Sequence, residues 1–257
     1  MKSKKKKVQA VMTADQWKYF VDFKEDLKRK IAEWTAAAPQ LTELQKEAAK
    51  LANNPEYSFE TPVVYNRALD EVTPEDEIKL IVIGDNPGKD EQLSKNNRYL
   101  VGQAGKIAEG YFRRNPELGV DFRKNVIILN KTPVHSAKTA QLKTIAKLGG
   151  SEIAELIQKS QIWMAEKTAA LHAALGTELW LVGYSELKDK GIFCAYRDTL
   201  KASCTKEAWE RVYVFQHFSM NRFSIDLGDY VKAAKKENAP LESNIHELGV
   251  LHRNEIF

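Results

Sequence analysis

Four short runs rich in Val, Ile, Leu and aromatic residues, at 78–84, 125–130, 178–183 and 211–216, constrain this chain more than any other feature. Each is too short for a typical helix and too uniformly apolar for a strand with one wet face. Each therefore reads as a strand buried on both sides. Helical stretches separate them, at about 105–114, at 151–175 after the Gly149-Gly150 break, and at 185–200, and a last helix is expected at 224–236. Strands alternating with helices predict an α/β chain: a three-layer α/β/α sandwich around a central, mainly parallel four-stranded sheet, with helices added at the N-terminal side.

The added helices have their own signals. Thr13-Ala14-Asp15-Gln16 has the form of a capping box, and Trp17, Phe20, Val21, Leu27, Ile31 and Trp34 follow at helical spacing. That stripe must pack on something. Thr42-Glu43-Leu44-Gln45 repeats the capping pattern and predicts a second helix over 44–52, stopped by Asn53-Asn54-Pro55. The expected division is a basic disordered tail at 1–12, a helical extension at 13–60 packed on the core, the main domain at 61–240 and a C-terminal tail at 241–257.

Composition sets bounds on function. A chain of 257 residues that is 43% hydrophobic can build one large core. The formal charge is +4, yet Lys2, Lys4, Lys5, Lys6 and Lys7 supply five of the positive charges, which leaves the rest at −1. Nucleic-acid binding is thus not legible from bulk charge, although the lysine tail would attract phosphate in a salt-sensitive way. Cys194 and Cys204 are the only cysteines, too few for a four-thiolate metal or iron–sulfur site, and they read as free thiols in a reducing compartment. The histidines show no recognised metal spacing, so neither metal nor cofactor is expected. No apolar run approaches the roughly 20 residues that span a bilayer, and the brief stretch at 8–14 makes a poor signal-peptide core. The expectation is a monomer without a membrane partner, held inside the cell in the cytoplasm, or in the nucleus of a eukaryote.

In an open parallel sheet the ligand crevice lies beyond the carboxyl ends of the strands. Three such ends are chemically unusual: Gly84-Asp85-Asn86-Pro87-Gly88, Asn130-Lys131-Thr132-Pro133-Val134-His135, and His217-Phe218-Ser219-Met220-Asn221-Arg222. The first is not a phosphate-binding P-loop, because only three residues separate its glycines and Asp90 follows Lys89. The dinucleotide pattern G-x-G-x-x-G is also missing.

Taken in order, these segments resemble the uracil-DNA glycosylase superfamily. Gly84 to Gly88 is similar to the G-x-N-P-G motif of its single-strand-selective monofunctional and mismatch-specific branches. Leu100-Val101-Gly102-Gln103-Ala104-Gly105 is similar to the F-V-G-x-A-G segment of the thermostable bacterial branches, Asn130-Lys131-Thr132-Pro133 to N-x-x-P, and His217-Phe218-Ser219 to H-P-S. The likeness covers roughly residues 63 to 230. It implies a monofunctional glycosylase that removes uracil or a related deaminated base from single- or double-stranded DNA and leaves an abasic site for base excision repair.

The resemblance also implies roles. Asn86 would hold the attacking water, with Asp85 either ordering water and stabilising the cationic sugar or merely capping the turn. Asn130 would read the base edge and His217 would donate to the departing base, since a neutral imidazole offers one N–H. Pro87 and Gly88 would bring backbone close to the base. The aromatic that stacks on the base aligns with Leu100, with Tyr99 as the neighbouring alternative. Ser219 would bind phosphate, and Met220, Asn221 and Arg222, with Phe223, would form the wedge that fills the vacated stack, with Phe223 as the first apolar anchor of the next helix the alternative. From their place beside Asn130 alone, Lys131 and His135 would either touch the DNA backbone or stand as solvated loop residues. Leu100 and Phe218 depart from the family pattern. They keep two alternatives open: a domain that binds flipped or single-stranded nucleotides without cutting, and a hydrolase of free nucleosides or nucleotides.

Overall fold

The computed structural model describes residues 11–257. In chain order the elements are α1 (Ala14–Ala37), α2 (Leu41–Leu51), β1 (Leu80–Gly84), α3 (Gln103–Arg114), β2 (Val126–Asn130) and α4 (Gln141–Leu175). There follow β3 (Glu178–Val182), α5 (Cys194–Ser203), α6 (Lys206–Trp209), β4 (Val212–Phe215), α7 (Arg222–Ala234) and α8 (Leu241–Ile256). All four strands pair in parallel, in the order β2-β1-β3-β4.

Strand side chains alternate between two faces, and the sheet thereby builds two cores. Ile81, Ile83, Ile127, Leu129, Leu179 and Leu181 face the layer formed by α1, α2, α4 and α5. Leu80, Val82, Ile128, Trp180, Val182 and Phe215 face α3, α7 and α8. Both faces are covered, so the strands are apolar throughout instead of alternating apolar with polar. The three-layer sandwich is the architecture the periodicity predicts.

The capping box of α1 forms as expected: Thr13 N–H donates to Gln16 Oε1 (2.9 Å) and Gln16 N–H to Thr13 Oγ1 (3.2 Å). The buried stripe runs through Phe20, Phe23, Leu27, Ile31 and Trp34, with Phe23 in place of the expected Val21. Helix α2 starts at Leu41 without a side-chain cap; fully buried Leu41 sets the first turn ahead of Thr42. The glycine break is real, because Gly150 takes φ 68° and ψ −162°, but a helical segment precedes it as well as follows it. The helix expected from 185 begins only at Cys194. Gly191 lies so close to the Glu186 carbonyl, 2.0 Å from where a Cβ would stand, that the chain folds back there.

Two expectations at the ends need correction. The predicted basic tail lies outside the described residues up to position 10, but Val11 and Met12 both donate to the Pro74 carbonyl and Met12 is buried. The stretch expected as a C-terminal tail is helix α8, which packs on the edge strand β4 and buries Ile245, Leu248 and His252. No described helix is long and apolar enough to cross a membrane.

Gly249 lets α8 lie close on β4: a Cβ there would stand 2.7 Å from Tyr213 Cβ and 2.8 Å from the Phe215 ring. Gly249→Val is expected to lower unfolding free energy by about 2 kcal/mol through overpacking, read from the urea midpoint at constant m-value.

Candidate functional site

The strand order reverses between β1 and β3, since the chain passes from β1 to β2 on one side and returns to β3 on the other. Beyond the carboxyl ends at this switch point lies a crevice of about 830 Å³, within the range of small-molecule sites. Asp85, Asn86, Asn130 and His217 all line it. The three unusual strand ends meet in one place.

The floor is a buried ion pair. Lys131 is fully buried, and its Nζ donates to Asp85 Oδ1 (2.6 Å), the Val182 carbonyl (2.5 Å) and, at longer range, the Gly84 carbonyl (3.4 Å). Burial pulls the Lys131 ammonium below its usual pKa, and Asp85 opposes that shift. Thr139 Oγ1 donates to the second Asp85 oxygen (3.1 Å). Glycine is required at 183: its φ is +87°, and a Cβ would stand 2.3 Å from Asp85 Oδ1. The expected contact of Lys131 with a DNA backbone is therefore wrong. Its long side chain runs inward because three acceptors await it beneath the crevice.

Asn86 donates from Nδ2 to Ser136 Oγ (2.9 Å) and to the Ser136 carbonyl (3.1 Å). That commitment fixes the amide and leaves its oxygen as the acceptor. Asn130 pairs with Gly84 across the β1–β2 ladder, and its amide occupies the space beside that glycine: a Cβ at 84 would stand 2.5 Å from Asn130 Oδ1 and displace it. Asn130 is buried, yet its Nδ2 has no hydrogen-bond partner. A buried donor without an acceptor is costly by about 1–3 kcal/mol, which a bound acceptor would recover.

His217 Nδ1 lies 3.1 Å from the Ser219 N–H and 2.8 Å from Ser219 Oγ. A backbone N–H can only donate, so Nδ1 accepts and Nε2 carries the proton of the neutral ring. Burial lowers the His217 pKa, with Asp85 acting against that shift and Lys131 adding to it. The Ser219 hydroxyl serves His217 and is not simply free for phosphate.

Gly105, in the segment 100–105, shapes the opposite wall. Leu100 lines the crevice in the left-handed region (φ 50°), and its carbonyl lies 1.5 Å from where a Gly105 Cβ would stand. Arg123 donates to the same carbonyl (2.8 Å). Glu91, absent from the sequence reading, accepts from the Leu100 N–H (2.9 Å) and the Gly88 N–H (3.1 Å), so one buried carboxyl ties both walls together. Burial raises its pKa to about 7, against the two N–H groups that favour its charged form.

Several expectations are corrected here. Tyr99 is fully buried in the core with its hydroxyl donating to the Val64 carbonyl (2.6 Å), so it faces away from the crevice. Pro87 is buried too, and its carbonyl is occupied by the Ser136 N–H (3.2 Å) and His135 Nδ1 (2.8 Å). His135 is fully buried with Nε2 toward Tyr57 Oη (3.1 Å); it braces the first loop and cannot reach DNA. Phe218 and Phe223 are core residues whose rings lie 5.2 Å apart. Gly88, Ser219, Met220 and Arg222 do line the crevice, while Asn221 is exposed beside it. Lys89, Lys138 and Lys188 add positive charge along the wall, and no sequence pattern singled them out.

The molecule is thus an open, parallel α/β sandwich with a polar crevice at its switch point. No protein-family model, curated protein or solved structure matches this chain.

The ion pair, the buried Glu91 carboxyl and the buried His135 imidazole act on stability separately. Lys131→Met leaves Asp85 without its cation and is expected to cost about 3–5 kcal/mol, whereas pairing it with Asp85→Asn restores part of the loss; chemical denaturation of the single and double variants measures this. Glu91 keeps a proton that the unfolded chain releases above pH 4.5, so its contribution falls as pH rises toward 7. His135, held down to about 4, refuses a proton that the unfolded chain takes below 6.5, so its contribution falls as pH drops. Relative to the parent, Glu91→Gln is expected to gain, and His135→Gln to lose, up to about 3 kcal/mol as pH goes from 4.5 to 7, measured by urea unfolding across that range.

Proposed function

We propose that this chain is a monofunctional glycosylase that hydrolyses the N-glycosidic bond of uracil, or of a related deaminated base, in DNA. The observation that carries this reading is the convergence of Asn86, Asn130 and His217 in one crevice from three separate strand ends. Water attacks the sugar carbon as the carbon–nitrogen bond breaks, the bonding electrons leave with the base, and the proton the bound water sheds neutralises the departing base anion. The Asn86 oxygen accepts a hydrogen bond from that water, the Asp85 carboxylate stabilises the cationic sugar, and the unpartnered Asn130 amide binds the base edge. His217 Nε2–H donates to the base oxygen on which negative charge grows, an effect worth about 3 kcal/mol in a dry, preorganised site. Exposed Met220 stands at the rim, where an apolar side chain can fill the space left by an extruded nucleotide. Lys89, Lys138, Lys188 and Arg222 supply charge for phosphates.

A second reading, a domain that binds flipped nucleotides without cutting them, draws on Leu100, an aliphatic residue where the resemblance expects a stacking aromatic. Incubation with single- and double-stranded uracil-containing oligonucleotides, followed by alkaline cleavage of abasic sites, separates the two. Strand scission is expected; tight binding without scission selects the second reading. Release of base from free nucleosides alone would select a nucleoside hydrolase. His217→Ala and Asn86→Ala are each expected to slow release at least about tenfold in folded protein. Because His217 stays neutral below its usual pKa, the parent's rate is expected to hold through pH 6.5 and to fall only in more acidic buffer.

A further inference from the structure

Beside the crevice lies a second concavity, of about 740 Å³, between α2 and the segment that follows it. Tyr57 and Phe59 line it as an aromatic pair, with ring centroids 4.2 Å apart and planes inclined by 34°. Lys46 and Lys50, one turn apart on α2, line the same groove, with Glu56 as the acid among its lining residues. Lys46 is also paired with exposed Glu43 (2.7 Å). Lys89 joins the two spaces, because it lines the crevice while its Nζ stands 4.8 Å from the Tyr57 ring centroid. The groove is fixed to the crevice from below as well: Tyr57 Oη meets His135 Nε2 (3.1 Å), and His135 Nδ1 meets the carbonyl of Pro87, next to Asn86 (2.8 Å). Asn54, on the groove wall, has a buried Nδ2 without a hydrogen-bond partner.

Rings for bases, lysines for phosphates and an unpaired amide for a carbonyl or phosphate oxygen are the parts of a single-strand nucleic-acid platform. We propose that the Tyr57–Phe59 groove binds unpaired nucleotides that flank the one held in the crevice, with Lys89 carrying the phosphate between the two. This extends the glycosylase reading by naming a single-stranded substrate. The groove is built by residues outside the segments that carry the family resemblance.

The test is fluorescence anisotropy of a labelled, uracil-free oligothymidylate about twelve nucleotides long, at low salt. Phe59→Ala and Lys50→Glu are each expected to weaken binding about fivefold or more, with unchanged thermal unfolding. Absence of binding by the parent, or unchanged affinity in folded Phe59→Ala and Lys50→Glu, overturns the proposal. Uracil release, assayed in parallel, tests the crevice separately. Release with unchanged affinity in the variants removes the groove alone, whereas no release by the parent together with weakened binding in Phe59→Ala removes the glycosylase reading and leaves the groove standing.

Discussion

The ion pair between Lys131 and Asp85 is the interaction on which the arrangement of the crevice rests. It lies where β1, β2 and β3 end, and the ammonium also binds the backbone carbonyl that closes β3. A charge buried this deeply persists only when its donors are answered, and here a carboxylate and two carbonyls answer them. The same demand orients Asp85 toward the sheet, excludes any side chain at position 183 and brings Thr139 over from the opposite loop. One lysine therefore organises the ends of three strands. A hydrophobic residue of equal volume could fill the space but could not fix the angle at which the loops leave the sheet.

The layered fold was legible because two-sided burial leaves an unambiguous pattern: β1 and β2 are buried at every position, and no polar residue interrupts the apolar run before their last positions. The convergence of positions 86, 130 and 217 was legible for a topological reason, since residues that follow parallel strands must emerge at the same edge. Side-chain direction was not legible. Lys131 follows Asn130 directly, yet one projects into the core and the other lines the crevice, and only the position of partners distant in sequence decides which. Tyr99 and Leu100 divide in the same way, the tyrosine hydroxyl finding its acceptor at Val64. Glu91 carried no signal at all, because its partners are backbone N–H groups that every residue possesses. Helix α8 was hidden because it offers no charged or catalytic motif; its content is the apolar face that covers β4.

Electrostatics in the crevice follow from burial more than from net charge. Desolvation moves Glu91 toward its neutral form and keeps His135 and His217 uncharged. The interior thus presents single N–H donors beside the ion-paired Asp85 carboxylate, while Lys89, Lys138, Lys188 and Arg222 stand along the wall and rim with Asp90 and Glu186 among them. Such a division suits a reaction in which charge appears only during bond cleavage. Neutral donors gain strength as charge develops, while the Asp85 carboxylate at the floor is already balanced by Lys131.

The segment 218–221 forms a loop tip above the crevice. Met220 and Asn221 hold consecutive left-handed conformations, a region asparagine enters readily and methionine reluctantly, and Phe218 anchors the turn in the core. Strain of this kind is stored during folding, ahead of any encounter. The methionine is consequently presented to solvent by a turn pinned in the core at its base, which leaves its backbone few alternatives to give up when the tip is covered. Glycine at either position would relieve the backbone and return that freedom, trading a stiff probe for a floppy one.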